Sequence, residues 1–364
     1  MLREPTPAPN AIIWRITDRC DLDCAHCGLH GPLSDPEVMN LEAMLKIADM
    51  IIEAECESVV LAGGEPLVRD DWKEIAKHLL DGKVRVSLVS NGTRFDDELV
   101  EWCLEHEIGA VHFSLDGGKE LHDAQRRSSG SYEQTVQAIE RALDAGLYVA
   151  VITVLTRTVV SDLETLYQAL KDIGVDQWQV RLATHHDANA LEDGDYISPE
   201  EVGDIFERSL ALANSIGGPD VYASTSLGYY GDVEKTLRGG KKVDSWRGCS
   251  CGIDWCTIEP NGDVRACGNG APVEGNLGEH SLLDIWTRDG AFSHSRAVTL
   301  AELGGKCREC EWARLCNGGC LAIARTDDEG RESRHCLQHP ATGGPRNRPG
   351  FVERNRVKKL RKDL

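Results

Sequence analysis

The sequence predicts an α/β protein: an incomplete (β/α)6 parallel barrel followed by a small, cysteine-rich, loop-dominated domain. Three observations carry this. From residue 11 to about 215, short β-rich runs alternate with longer amphipathic stretches, an order that implies parallel strands joined by right-handed crossovers. The chemically loaded segments of that region all fall at the C-terminal ends of strands. Doubly wound sheets and barrels share the element order, but that placement is the one α/β barrels use for their sites. Nine of the fourteen cysteines then crowd between Cys249 and Cys336. Six units instead of eight leave the barrel laterally open.

The first strand, Ile12–Thr17, runs into the loop "CDLDCAHC". The helix Leu41–Ala54 follows, its apolar residues recurring at three- and four-residue spacing in "LEAMLKIADMII". Strand Ser58–Leu61 closes on "GGEP" (Gly63–Pro66), helix Trp72–Leu80 on strand Val84–Val89, and that strand on "SNG" (Ser90–Gly92). Helix Asp97–His106 leads to strand Ala110–Leu115, which ends in "SLDG" (Ser114–Gly117). Helix Tyr132–Ala145 precedes strand Tyr148–Leu155 and "TRT" (Thr156–Thr158). Helix Val160–Ile173 precedes strand Trp178–Leu182 and "THHD" (Thr184–Asp187), and helix Pro199–Ile216 completes the series. Gly109, Gly146 and Gly174 each stand between a helix and a strand, where a left-handed cap is expected.

These elements divide the chain into a lead (1–10), a barrel (11–220), a linker rich in Gly, Ser and Tyr (221–248), the cysteine-rich domain (249–340) and a basic tail (341–364). So few long helical patterns occur in the cysteine-rich domain that its stability must lean on metal. The tail "RNRPGFVERNRVKKLRKDL" reads either as a solvated helix or as a contact for an acidic partner.

With 41% hydrophobic residues the chain has ordinary globular composition, and its net charge of −20 opposes nucleic-acid binding. No apolar run suits a signal peptide or a membrane span, which points to the cytoplasm. Thiols stay reduced there, so the clustered cysteines read as metal ligands. Cys56 and Cys103, which stand alone, read as buried thiols.

The opening loop has Cys20, Cys24 and Cys27 at three- and two-residue intervals. A structural zinc site and a closed iron–sulfur cube both want four protein ligands, and His26 or His30 would have to complete a zinc site. Followed one βα unit later by "GGEP", the loop resembles that of radical S-adenosylmethionine (radical SAM) enzymes. The resemblance implies that three cysteines hold three irons of a [4Fe–4S] cluster and leave the fourth iron to S-adenosylmethionine. It further implies that Gly63, Gly64 and Glu65 receive the methionine amino group. Ser90, Asn91, Ser114 and Asp116 would face ribose hydroxyls and the methionine carboxylate, which Arg126 would meet as a guanidinium fork. His26 would stack on adenine in a place where the family often has an aromatic ring. An electron donor such as flavodoxin or ferredoxin is implied, as is hydrogen abstraction by a 5′-deoxyadenosyl radical.

Further on, "CRECEWARLCNGGC" sets out Cys307, Cys310, Cys316 and Cys320, with Cys336 beyond and Cys267 five residues after Gly262. This resembles the SPASM extension, which implies two auxiliary [4Fe–4S] clusters and so three in all; two zinc ribbons are the alternative. The resemblance gives Cys307, Cys310, Cys316 and Cys336 to the outer cluster, and Cys267 and Cys320 to the inner one. Cys249, Cys251 and Cys256 compete for two remaining inner places, with Cys249 and Cys256 preferred on spacing.

The leading expectation is a maturase of a ribosomal peptide or protein, leaving an oxidised product such as a crosslink or thioether, with a separate leader-recognition protein as a further partner. A small-molecule enzyme acting on an amino acid, sugar alcohol or tetrapyrrole side chain is the alternative, sulfatase-type maturation lies between, and a non-catalytic redox carrier is a third. His185, His186 and Asp187 are candidate proton acceptors.

Overall fold

The computed structural model describes residues 4–27, 39–184, 195–227, 237, 248–327, 330–333 and 335–336. Six parallel strands alternate with helices as expected: β1 (Ala11–Thr17), β2 (Ser58–Gly63), β3 (Arg85–Ser90), β4 (Ala110–Ser114), β5 (Val149–Leu155) and β6 (Gln177–Leu182). Each pairs in parallel with its successor. Helices α1 (Leu41–Glu53), α2 (Trp72–Asp81) and α3 (Asp97–Glu105) cross between the early strands. Then come α4 (Lys119–Arg126), α5 (Ser131–Asp144), α6 (Arg157–Val160), α7 (Leu163–Ile173) and α8 (Val202–Ala213).

Period-2 alternation sorts the strand residues. Ile12, Trp14 and Ile16, with Val59, Leu61, Val86, Leu88, Val111 and Phe113, are fully buried on the helix-facing side, in one core with Ile47, Ile75, Leu79, Ile139 and Leu170. Arg15, Ser87, His112, Gln179 and Arg181 occupy the alternate, less buried positions, which make the inner face of the barrel polar. Asn40 caps α1 by accepting from the Ala43 amide at 3.0 Å, and Asp96 caps α3 by accepting from Leu99 at 2.9 Å. Gly146 and Gly174 take positive φ (86° and 89°) as expected, whereas at the end of α3 it is Glu107, not Gly109, that turns left-handed (φ 55°).

Two features depart from the expected outline. A seventh parallel strand, β7 (Asp220–Ala223), joins β6 at the start of what was read as linker. More consequential is β8 (Trp255–Ile258), which lies in the cysteine-rich region yet pairs in parallel with β1, Ile12 opposite Cys256. The strands β9 (Asp263–Arg265) and β10 (Val273–Asn276) continue from it as an antiparallel meander. The result is one ten-stranded sheet, β10-β9-β8-β1-β2-β3-β4-β5-β6-β7, with β10 and β7 at its edges. The core is continuous too: Val264, Ile285, Trp286 and Phe292 belong to the same cluster as Ile12 and Trp14. Across this seam Arg15 donates to Glu259, and on its own segment it also donates to Asp18. Among the described residues no helix is long and apolar enough to cross a membrane.

Candidate functional site

At the C-terminal end of β1 the cysteine loop is pinned from three sides. Asn91 Nδ2 (2.8 Å), Thr93 Oγ1 (2.9 Å) and Arg94 Nε (2.8 Å) all donate to the carboxylate of Asp21. The Ala25 amide donates to the Gln125 carbonyl of α4 at 2.8 Å, and Arg127 pairs with Asp23 at 3.0 Å. Beneath the loop the β2 end comes unusually close. The Gly64 amide donates to the Thr17 carbonyl (2.8 Å) and the Glu65 amide to the Arg19 carbonyl (2.9 Å). A Cβ at Gly63 would stand 2.2 Å from the Thr17 oxygen, and one at Gly64 2.3 Å from the Arg19 oxygen, so only glycine fits at either place. With its N–H engaged, Gly64 offers a ligand its carbonyl oxygen, which suits a donor such as an ammonium.

Glu65 is 1% exposed and accepts from the Asn91 amide at 2.7 Å and the Leu67 amide at 3.2 Å. Burial nevertheless pushes its carboxyl up to about 7, the mark of a carboxylate short of a positive neighbour. On α4, Arg126 donates to the fully buried Asp116 at 2.5 Å, and its other terminal nitrogen lies 3.7 Å from Cys24 Sγ. Its Nε is buried with no hydrogen-bond partner. Burial opposes ionisation of Asp116, but Arg126, His26 and His122 together hold its carboxyl below the usual range.

Several residues expected to meet ligand also bond within the protein. Asp116 carries Arg126 and accepts from the Val154 amide at 2.9 Å, which makes it an anchor for the guanidinium. Ser90 accepts from the Gly92 amide, and Asn91 holds Thr93 and Asp21, so both build the turn beside the loop. The ring of His26 is turned inward, Nε2 3.6 Å from Asp116. Ser114 is half-buried at the inner end of β4. His185, His186 and Asp187 lie outside the described residues. Missing from the sequence reading altogether was α4, whose buried face is His122, Gln125 and Arg126.

In the cysteine-rich region the thiols fall into two groups. Cys249 and Cys251 stand 3.2 Å apart, and the hydrogen bond between them pushes the Cys249 thiol down and the Cys251 thiol up. Cys267 acts on Cys251, and Cys249 and Cys267 both act on Cys320, so these four form one set. Cys307, Cys310 and Cys336 likewise act on Cys316, whose thiol burial pushes up to about 12. Cys256, preferred on spacing as an inner ligand, points elsewhere: it is fully buried in β8, and the charged neighbours it feels are Cys56 and Arg296. Strand alternation explains this, since pairing with β1 fixes which way the β8 side chains face. Cys56 and Cys103 are buried, as expected. Among the described residues, no three His, Cys, Asp or Glu side chains converge tightly enough to hold a single metal ion.

If Cys249, Cys251, Cys267 and Cys320 ligate one iron–sulfur cluster, Cys251→Ser is expected to lower the bound iron, whereas Cys256→Ser is expected to keep it. The reverse pattern would restore the pairing that spacing suggested.

Residues 14–170 match the family model of the Radical SAM superfamily, and residues 249–311 match SPASM, an iron–sulfur cluster-binding domain. The chain is 27% identical over 348 residues to the AdoMet-dependent heme synthase of Methanosarcina barkeri, a match covering 92% of this chain and 98% of that protein. It is also 27% identical over 322 residues to the mycofactocin maturase MftC of Mycolicibacterium smegmatis, covering 86% and 79%. In fold it is similar to Streptococcus suis SuiB, solved bound to precursor peptide SuiA, with a TM-score of 0.72 at 16% identity over 91% of this chain and 76% of that one.

Proposed function

The chain is a radical SAM protein with a C-terminal SPASM domain, and on that premise we propose that it is a cytoplasmic oxidoreductase that abstracts hydrogen from a peptide or protein substrate and leaves an oxidised product. The observation that carries this is the loop of Cys20, Cys24 and Cys27 beside the buried Glu65 carboxylate, with Arg126, anchored by Asp116, reaching Cys24 Sγ. S-adenosylmethionine and three [4Fe–4S] clusters would supply, when bound, the electron and the 5′-deoxyadenosyl radical.

The residues fit that cargo. Cys20, Cys24 and Cys27 would hold the first cube, whose open iron needs no fourth thiolate. Gly63 and Gly64 would accept from the ammonium through their carbonyls, and Glu65 would balance its charge. Arg126, fixed by Asp116, would present its free Nε to the carboxylate. Cys249, Cys251, Cys267 and Cys320 would bind the inner auxiliary cube, and Cys307, Cys310, Cys316 and Cys336 the outer one. With every auxiliary position filled by protein, these cubes would carry electrons, which favours a crosslink, thioether or other oxidised product. An external flavodoxin or ferredoxin would deliver electrons, and a separate leader-recognition protein would present the substrate.

The peptide reading is supported by the position of β7 at an edge of the sheet among the described residues and by likeness to a relative named as a maturase. A second reading, oxidation of a tetrapyrrole side chain, draws support from relatives named as heme synthases, one of which the match spans almost end to end. Co-expression with short peptides encoded nearby, followed by mass spectrometry for lost hydrogen, tests the first. Anaerobic turnover of carboxylated iron tetrapyrroles tests the second, and a product there alone would displace the peptide reading.

Glu65 makes the cofactor step pH-sensitive. Its raised pKa means the unloaded protein holds a proton there below about pH 7. That proton must leave for an ammonium to bind, so affinity for S-adenosylmethionine is expected to fall as pH drops below 7, by about tenfold per unit. By the same sign, ionised Glu65 weakens the unloaded fold as pH rises through 7. Glu65→Gln should flatten the binding profile, which calorimetry from pH 5.5 to 7 reads directly; an unchanged slope would remove Glu65 from the cofactor site.

A further inference from the structure

We infer that Arg331 is a shared electrostatic partner of the two auxiliary cluster sites, a positioning cation that sets both reduction potentials together. The inference rests on the proposed cluster assignment and goes beyond it. Arg331 lies on β12 (Gly330–Glu332), which pairs with β11 (Arg325–Asp327), and is 8% exposed. One terminal nitrogen donates to the Gly319 carbonyl at 2.7 Å, and the other reaches the His294 carbonyl at 3.3 Å.

Both acceptors sit next to ligands. Gly319 belongs to the turn Asn317–Gly319, all at positive φ (52°, 75° and 85°), which carries the chain from Cys316 of the outer set to Cys320 of the inner set. The Gly319 amide donates back to the Cys316 carbonyl at 3.1 Å, and a Cβ at Gly318 would stand 3.1 Å from Arg331 Cγ. His294 precedes Ser295, whose hydroxyl is 3.8 Å from Cys251 Sγ. Two residues beyond Arg331, the Ser333 amide donates to Cys307 Sγ at 3.4 Å. One guanidinium therefore holds both the turn that joins the two sets and the carbonyl that precedes Ser295, the neighbour of Cys251.

Its charge has no other destination. Among the described residues no carboxylate pairs with Arg331, and its Nε is buried without a partner. Guanidinium stays protonated inside proteins, and a buried cation needs compensating negative charge. The groups acting on it are Cys249, Cys251 and Cys320 of the inner set and Cys316 of the outer set. A cube with four thiolates is anionic, and each added electron deepens that charge. A fixed cation between two such cubes favours the reduced form of each. The sequence hides this residue, because "GRES" has no motif value.

The test uses the full chain in a Cys24→Ala background, which silences the first cluster, with mediated dithionite titration followed by electron paramagnetic resonance. Iron content comes first: protein with an intact Arg331 but no auxiliary cubes would overturn the assignment itself. With cubes present, Arg331→Met is expected to lower the reduction equilibrium constant of both by about tenfold or more, ~59 mV each for one electron, and Arg331→Lys to recover part of the shift. Arg314→Met, a change to an exposed arginine on the short helix α9 (Ala313–Cys316), serves as the control. Unchanged potentials, or a shift in one cube alone, would overturn the inference. Loss of auxiliary iron in Arg331→Met that Arg331→Lys restores would support it, because charge then holds the sites. Equal loss in both would reduce Arg331 to packing and overturn it.

Discussion

Cys24→Ala is expected to lower 5′-deoxyadenosine formation at least about a thousandfold, ~4 kcal/mol of transition-state stabilisation, while iron held by the cysteine-rich region remains. The residue is 9% exposed, its carbonyl accepts from the Cys27 amide, and Arg126 reaches its sulfur. Losing that thiolate would leave the first cube two protein ligands, while Arg126 would keep its ion pair with Asp116. The auxiliary thiols belong to other elements and should keep their iron. Cys103→Ala, a cavity change in α3, should lower stability and leave the chemistry intact, which separates a ligand from a buried thiol. A Cys24→Ala protein that still made 5′-deoxyadenosine would end the radical reading. Zinc in place of iron, or wild-type protein with no turnover in the presence of reductant, would move the chain toward a zinc site or a redox carrier.

The sequence discloses this chemistry unevenly, for physical reasons. Strands β1 to β6 and the helices on their outer face are legible because both bury apolar stripes, and period 2 or 3.6 survives in the residue order. Helix α4 is invisible to that test. Its inward face, His122, Gln125 and Arg126, serves the site, so its pattern reads as polar all round. Strand β8 fails differently: four residues inside a cysteine field carry no periodicity, and only pairing with β1 makes "WCTI" a strand. That pairing also decides which cysteine turns inward, so spacing alone could not separate Cys251 from Cys256. The close approach at Gly63 and Gly64 was legible as "GGEP", because glycine there answers a steric demand. The roles of Ser90, Asn91 and Asp116 were less so, since the same residue types serve turns, anchors and ligands alike.

Asp116 gives the sharpest test of that last distinction. Asp116→Ala is expected to destabilise the fold by ~3–5 kcal/mol, because it leaves the buried Arg126 guanidinium uncompensated. The Val154 amide would lose its acceptor as well. Arg126→Leu alone should cost a comparable amount, and the double variant clearly less than the sum, because neither charge is then stranded. Denaturant titrations of the four proteins without bound cofactor measure the cycle. A carboxylate that mainly touched ligand would behave otherwise: stability would hold, the cycle would be additive, and only affinity for S-adenosylmethionine would drop. Because Arg126 also faces Cys24, strong coupling between Asp116 and Arg126 would mean that one buried ion pair orients both the cluster loop and the group that meets the cofactor.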